Sequence, residues 1–328
     1  MDKECIKAKK LLDQSSKILI VSHRKPDADT LGSALALKFN LRQLGDKDIV
    51  LACVDAPCVG FDFLPGVDAF VNEFNIEEFD LMVIVDAGAS YITDFHLKYE
   101  NFFKAGIPII NIDHHASNDN FGTINIVDPE AASTTIILYR LFKLWNWQIY
   151  KDIATVLLAG ICNDTGSFMH SNTNAEVYAV AADLMENGAQ IGPISKSLFR
   201  SRPVSTLKLW GKVLEKTCLT GDSVVMSVVR DGDYDVTGAN PDQLSGVIDY
   251  LNMVPDTKFA ILVNEDKMGN VKGSLRTRKS DVDLSRIAAV FGGGGHTKAS
   301  GFIISGKLQE EKHYSIVSGD MSKKSLEF

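Results

Sequence analysis

Short apolar runs alternate, through the first half of the chain, with segments whose apolar residues recur every three or four positions. Four runs predict buried strands, at 17–22 (KILIVS), 49–53 (IVLAC), 81–86 (LMVIVD) and 107–113 (IPIINID). Helix-period segments lie between and after them, at 30–45, 133–145, 152–161 and 174–189. This alternation is typical of an α/β fold with a mainly parallel sheet flanked by helices.

The pattern changes at residues 191–215, where a polar segment contains Pro193 and Pro203. Beyond it, three apolar runs predict strands, at 223–229, 258–264 and 269–276. Two segments predict helices, at 241–252 and 283–291. We therefore expect a first domain over 1–190, a connector over 191–215 and a smaller α/β domain over 216–328. The polar stretch 306–328 predicts no element.

Charge and cysteine content limit the classes of function. The net charge is −8, which argues against a protein that binds nucleic acid by bulk phosphate neutralisation. Residues 1–199 contain 16 Lys and Arg against 26 Asp and Glu, and residues 200–328 contain 18 against 16. An acidic first half suits a cation site, and a mildly basic second half suits an anionic substrate. Five cysteines without a C-x-x-C pair, and the lack of an apolar run near ~20 residues, predict a cytoplasmic protein.

Carboxylates and imidazoles concentrate where apolar elements end. They form four clusters: His23 with Asp27 and Asp29; Asp86; Asp113 with His114 and His115; and Asp164. Taken singly, each has an ordinary interpretation as a helix cap, a turn residue or a hydrogen-bonded histidine. Together they would repel one another at one sheet edge unless cations held them. Mixed oxygen and nitrogen ligands with an excess of oxygen favour Mn²⁺.

At these motifs the chain resembles the DHH phosphoesterase superfamily. The motifs H-x-x-P-D-x-D (23–29), V-D-A-G (85–88), D-H-H-A-S-N (113–118) and N-D-T-G-S-F (163–168) occur in the order of that family. GSLRTR (273–278) and FGGGGHTKASG (291–301) resemble its associated C-terminal, substrate-binding domain. One departure is Ala28, where relatives often carry Gly, and it is not expected to matter because that residue is not a ligand.

The resemblance implies a set of ligands and roles. One divalent cation would be held by His23, Asp27 and Asp86, and a second by Asp29, Asp86, His114 and Asp164. Asp86 would bridge the two cations, and Asp113 would support the ligands without binding a cation. His115 would face the scissile phosphate, and we expect it to act with Asp86 in catalysis.

The chemistry of the residues themselves agrees with phosphoester hydrolysis. Two cations about 3.5–4 Å apart activate a shared water, so we expect in-line attack by a bridging hydroxide. We expect the second domain to bind the substrate anion through the backbone of Gly293, Gly294 and Gly295, with His296 and Arg276 beside them. A glycine run alone is as consistent with a flexible loop. The active site is expected in the cleft between the domains.

The architecture resembles the group that hydrolyses short oligoribonucleotides to mononucleotides and adenosine 3′,5′-bisphosphate to AMP. Two alternatives stay open: a phosphodiesterase for linear di-adenylate or cyclic dinucleotides, and a non-catalytic nucleotide-binding protein. Every expected ligand position is filled, which argues against a degenerate member. We expect short single-stranded RNA or nucleotide bisphosphates as substrates, with no membrane and no long duplex as partner. A homodimer stays open.

Overall fold

Six parallel strands form the sheet of the first structural unit, Met1–Arg202. The structure is a computed structural model and describes residues 2–104, 106–199, 201–309, 311, 314–317 and 323–326. The strands are β1 (Lys17–Val21), β2 (Asp48–Ala52), β3 (Phe70–Val71), β4 (Leu81–Val85), β5 (Ile109–Asp113) and β6 (Ile124–Val127). Their spatial order is β3-β2-β1-β4-β5-β6, and every neighbouring pair is parallel.

Among the described residues seven helices flank this sheet, six of them packed in the core on one face and one of four residues in the core on the other face. They are α1 (Asp2–Gln14), α2 (Ala28–Gln43), α3 (Phe95–Lys98), α4 (Thr134–Leu144), α5 (Lys151–Asp164), α6 (Ala175–Glu186) and α7 (Ile191–Phe199). Successive residues of β1 belong to two different cores, because side chains alternate across a strand: Ile18 and Ile20 lie in one, and Leu19 and Val21 in the other. The predicted parallel α/β architecture is therefore confirmed.

The strand order reverses between β1 and β4. In open parallel sheets, the loops after the strands on either side of such a reversal diverge and leave a crevice at the carboxyl edge. The residues that follow β1 and β4 therefore meet at this crevice. The helices approach closely behind it: a Cβ on Gly32 in α2 would lie 2.4 Å from the Val156 carbonyl oxygen of α5.

The second unit, Pro203–Phe328, is built on a mixed sheet. Its helices are α8 (Val204–Glu215), α9 (Asp231–Thr237), α10 (Val247–Leu251) and α11 (Leu284–Val290). Its strands are β7 (Cys218–Leu219), β8 (Val224–Val229), β9 (Phe259–Glu265), β10 (Asn270–Arg276), β11 (Gly294–Gly295) and β12 (Ala299–Ser305). Their order is β11-β12-β10-β9-β8-β7, with β8 and β9 parallel and the other pairs antiparallel.

Two predicted segments differ in detail. The helix expected over 241–252 is interrupted: Pro241–Leu244 is a 3₁₀ turn and α10 begins at Val247, because Gly246 adopts a left-handed conformation (φ 90°) against Trp210. Within 306–328, β13 (Tyr314–Val317) pairs antiparallel with β14 (Lys323–Leu326), and residues 310, 312–313, 318–322 and 327–328 lie outside the described residues. Among the described residues, the helices all lack the length and apolarity needed to cross a bilayer.

Candidate metal centre

The loop between β1 and α2 provides the first group of polar side chains. Asp27 is the N-cap of α2, and its Oδ1 accepts the amides of Asp29 and Thr30 at 2.9 and 3.0 Å. His23 Nδ1 donates to the Arg24 carbonyl oxygen at 2.6 Å. This bond leaves Nε2 of His23 to face Asp86, 3.4 Å from its Oδ2.

Asp86 follows β4 and lies at the centre of the cluster. It is 3% exposed and holds a left-handed backbone conformation (φ 56°), which a non-glycine residue keeps only where its surroundings impose it. Its Oδ2 accepts the Thr30 hydroxyl at 2.5 Å on the side of His23. Its Oδ1 accepts the Thr134 hydroxyl at 3.0 Å and lies 3.7 Å from His114 Nε2. The two oxygens of Asp86 therefore face different imidazoles.

Asp29, in the first turn of α2, is buried against the first turn of α4. Its Oδ2 accepts the Thr134 amide at 2.7 Å. Its Oδ1 accepts both the amide and the hydroxyl of Thr135, at 3.0 and 2.7 Å. A helix N-terminus offers unpaired N–H groups and a positive dipole end, so this environment suits a carboxylate.

His114 and Asp164 complete the other side. His114 Nε2 lies 3.2 Å from Asp164 Oδ2, and its Nδ1 is 3.3 Å from the Ala131 carbonyl oxygen, to which it donates. Asn163 donates to Asp164 Oδ1 at 2.9 Å and to Asp27 Oδ2 at 3.1 Å, and so connects the carboxyl end of α5 to the loop after β1.

His115 is held differently from His114. Its Nδ1 is 2.7 Å from Asp113 Oδ1, and Asp113 Oδ2 accepts the Asn118 side-chain amide at 2.6 Å. Asp113 is fully buried, whereas the His115 side chain is 31% exposed. The bond to Asp113 therefore fixes the orientation of the His115 ring.

Among the described residues, three sets of potential ligand atoms each lie within 4.8 Å of one another. They are His23, Asp27 and Asp86; Asp29, His114 and Asp164; and Asp86, His114 and His115. The structure therefore brings together all six residues predicted as cation ligands.

The protonation equilibria of this cluster show a shortage of positive charge. Burial and repulsion by Asp86 raise the pKa of Asp29 to about 7, and burial with repulsion by Asp29 raises the pKa of Asp164 well above its ordinary value. Burial also acts on Asp86, but the hydrogen bond and charge of His23 outweigh it and lower the pKa of Asp86.

The charged imidazoles offset only part of the repulsion among these carboxylates. Burial opposes a charge on His23 and His115, but the hydrogen bonds and charges of Asp86 and Asp113, respectively, raise the pKa of each to about 9. Buried carboxylates that lack counter-charge are costly, and divalent cations remove that cost. The donor set of carboxylate oxygens and imidazole nitrogens therefore fits two divalent cations that share Asp86.

Comparison with known proteins decides the family. Residues 17–161 match the DHH family N-terminal domain, and residues 221–318 match the DHHA1 domain. A Thermus thermophilus protein described as a bifunctional oligoribonuclease and PAP phosphatase NrnA is 31% identical over 88% of this chain and 84% of its own length. This chain belongs to the DHH family of phosphoesterases.

Two further relatives extend the comparison within the DHH family. A crystal structure of an exopolyphosphatase-related protein from Bacteroides fragilis superposes with a TM-score of 0.86, at 25% identity, over 94% of this chain and 93% of that one. A probable manganese-dependent inorganic pyrophosphatase from Streptococcus mutans is 34% identical over 52% of this chain and 54% of its own length. The similarity to the pyrophosphatase thus spans about half of each chain.

The predicted anion-binding residues lie in the DHHA1 unit, at one end of its sheet. Arg276 pairs with Ala299 and Gly295 pairs with Ser300, so strand β12 lies between the arginine and the glycine run. Burial lowers the pKa of Arg276, although its Nε is 3.8 Å from Asp249 Oδ1. His296 is exposed in the turn that joins β11 to β12.

Part of the glycine run is required by backbone packing, whatever it binds. A Cβ on Gly293 would lie 2.2 Å from the Gly301 carbonyl oxygen, and Gly295 has φ 134° with a Cβ position 2.6 Å from the Ala299 carbonyl oxygen. A Cβ on Gly294 would meet no atom within 4 Å. Backbone packing therefore accounts for two of these three glycines, and Gly294, which pairs with Gly301 in the ladder, is the one at which a side chain would find open space.

Sequence reasoning missed the hydroxyl and amide side chains that hold the ligands. These are Thr30, Thr134, Thr135 and Asn163. The available signal was the S-T-T sequence at the start of a helix-period segment, which is typical of a helix cap. It indicates where α4 begins, and it does not indicate a carboxylate partner more than one hundred positions away.

Proposed function

We propose that this protein is a manganese-dependent phosphoesterase that hydrolyses short oligoribonucleotides to mononucleotides and adenosine 3′,5′-bisphosphate to AMP. One observation carries the proposal: Asp29, Asp86 and Asp164 converge on His23 and His114 at the crevice where the strand order reverses. The similarity to a Thermus thermophilus bifunctional oligoribonuclease and PAP phosphatase supports the choice of substrates.

In this proposal His23, Asp27 and Asp86 hold one cation, and Asp29, His114 and Asp164 hold the other with Asp86. When bound, the two cations supply the positive charge that activates a water molecule and neutralises the phosphate oxygens. Hydrogen bonds at Nδ1 fix the rings of His23 and His114, so that each presents Nε2 to a cation.

His115 is the proposed acid. Its Nδ1 is bonded to Asp113, and the hydrogen bond and charge of Asp113 raise the pKa of the ring and so favour its charged, proton-donating form. A charged imidazole beside the phosphate stabilises negative charge as it develops and protonates the leaving oxygen. Asn118 holds Asp113, which in turn orients the His115 ring.

The DHHA1 unit is proposed to bind the substrate's terminal phosphate. Arg276 offers a planar fork of donors, and Gly294 in the neighbouring glycine run leaves open space where a side chain would otherwise stand. A site that binds the terminal phosphate favours short substrates. The acidic net charge is also consistent with substrates that contact few basic residues. We propose that the enzyme acts in the cytoplasm, a reducing compartment in which its five cysteines remain reduced thiols.

The decisive experiment compares hydrolysis of adenosine 3′,5′-bisphosphate, a 5′-labelled RNA dimer and linear pApA by the Mn²⁺-loaded protein. Asp86→Asn should abolish turnover while the fold persists. Asp48→Asn is the matched control, since Asp48 is exposed at the amino end of β2, at the edge of the sheet opposite the cluster. Turnover of none of the three by wild-type protein would leave the nucleotide-binding role, and turnover of pApA alone would favour the dinucleotide phosphodiesterase.

Manganese is tested separately. Chelated protein reloaded with Mn²⁺, Co²⁺, Mg²⁺ or Zn²⁺ should show the highest kcat/KM with Mn²⁺, because the cluster mixes imidazole nitrogen with an excess of carboxylate oxygen. Higher activity with Mg²⁺ or Zn²⁺ at equal occupancy would contradict the assignment of the native ion.

A further inference from the structure

The first turn of α4 contacts two of the carboxylates that come from other elements. Thr134 donates its amide to Asp29 and its hydroxyl to Asp86, so one residue bonds both acids. Thr135 donates its amide and its hydroxyl to the same oxygen of Asp29. One acid lies in α2 and the other directly after β4, and α4 carries the donors that hold them.

These bonds determine which lone pairs stay available. A carboxylate has about four lone-pair directions, two on each oxygen. Both on Asp29 Oδ1 are used by Thr135, and one on Oδ2 is used by Thr134. One direction on Oδ2 is left for a cation. On Asp86, Thr134 occupies one direction of Oδ1 and leaves another.

The packing behind α4 leaves room for the same contact. Ser133 caps α4, and its hydroxyl lies 2.8 Å from that of Thr135. From α5, a Cβ on Gly160 would come within 2.5 Å of Asp29 Oδ1 and 2.6 Å of the Thr135 hydroxyl oxygen. Only a glycine at this position of α5 leaves room for the bond between Asp29 and Thr135.

We propose that Thr134 and Thr135 are positioning residues that hold Asp29 and Asp86 in the orientation needed to bind the two cations. The inference rests on the proposed two-cation site and concerns neighbours of the ligands. Hydrogen-bond partners of metal ligands typically contribute about 10- to 100-fold to metal affinity. Loss of either hydroxyl should therefore weaken cation binding, and the two residues should do so at different sites.

The experiment measures Mn²⁺ binding to chelated protein by calorimetric titration, without substrate. Thr135→Val removes the hydroxyl that, of the two acids, bonds only Asp29, so it should weaken one of two sites about 10- to 100-fold and leave the other unchanged. Thr134→Val removes the hydroxyl that bonds the shared Asp86, so it should weaken both. Thr134→Ser and Thr135→Ser keep the hydroxyls and should retain near-wild-type affinities.

Thr155→Val is the matched control. Thr155 is a buried threonine of α5 whose hydroxyl donates to the Lys151 carbonyl oxygen, away from the cluster. It should leave both Mn²⁺ affinities unchanged. In activity assays, the Thr134 and Thr135 valine variants should need more Mn²⁺ for half-maximal rate, with the KM for substrate unchanged at saturating Mn²⁺.

Wild-type affinities in both valine variants would overturn the inference, as would equal losses in the valine and serine variants or in Thr155→Val. These results would leave the proposed function intact if wild-type protein binds two cations and hydrolyses its substrates. Wild-type protein that binds two cations without turnover would contradict the proposed function alone.

Discussion

Gly160→Ala tests the fit of α5 against the metal centre with a single methyl group. The added Cβ would lie 2.5 Å from Asp29 Oδ1 and 2.6 Å from Thr135 Oγ1, whereas ordinary contact begins at 3.4 Å. Each of these two atoms would have to move away by about 1 Å to restore ordinary contact. Both are side-chain atoms, so they can move, but only by bending or breaking the 2.7 Å bond between them.

Two effects on stability oppose each other. Overpacking a core typically costs about 1–3 kcal/mol. Replacing glycine by alanine inside a helix gains about 0.8–1.0 kcal/mol. The free energy of unfolding should therefore fall by only about 0–2 kcal/mol, while Mn²⁺ affinity at the site that contains Asp29 falls about 10- to 100-fold.

The assay pairs urea unfolding of chelated protein with calorimetric titration of Mn²⁺. Gly211→Ala is the control, because Gly211 lies inside α8 and a Cβ there would meet no atom within 4 Å. It should raise stability and leave Mn²⁺ binding unchanged. If Gly160→Ala behaves like Gly211→Ala, the close contact is not real and the account of Asp29 fails with it.

Three further predictions concern protons, catalysis and substrate. The pKa of His23 rises from 6.5 to about 9 in the metal-free fold. The contribution of His23 to the free energy of unfolding is therefore complete below pH 6.5 and is lost as pH rises through 9. Mn²⁺ affinity should rise across the same window, since the cation displaces that proton; titrations at pH 6.5 and 9 that agree would contradict this. His115→Ala should lower kcat about 10²- to 10⁴-fold with both cations retained, as metal analysis can check; loss of a cation would make His115 a ligand. Arg276→Ala should raise KM with little change in kcat, and an unchanged KM would remove Arg276 from the substrate site.

The sequence predicts well those features that depend on local pattern. The apolar runs that became β1, β2, β4 and β5 are buried and nearly continuous, as parallel strands covered on both faces must be. The acids and imidazoles directly after them also had to meet, because parallel strands end at one edge of the sheet.

Features that depend on distant partners were less accessible. Strand β3 has two residues and β6 four, too few for a clear alternation. The glycine run beside β12 suggested a phosphate loop, whereas the structure adds a packing requirement at Gly293 and Gly295. Thr134 and Thr135 fit a helix start equally well with or without a carboxylate partner, so their bonds to Asp29 appear only in three dimensions.

The cluster is assembled from the ends of β1, β4, β5 and α5, with Asp164 as its last contributor along the chain. During synthesis, the cluster is incomplete until the ribosome has released α5, and parallel pairing with crossover connections is slow to form. Cation capture should therefore follow the folding of the first unit. A partly folded intermediate would be inert as a phosphoesterase, so the activity appears only once the first unit has reached its native state.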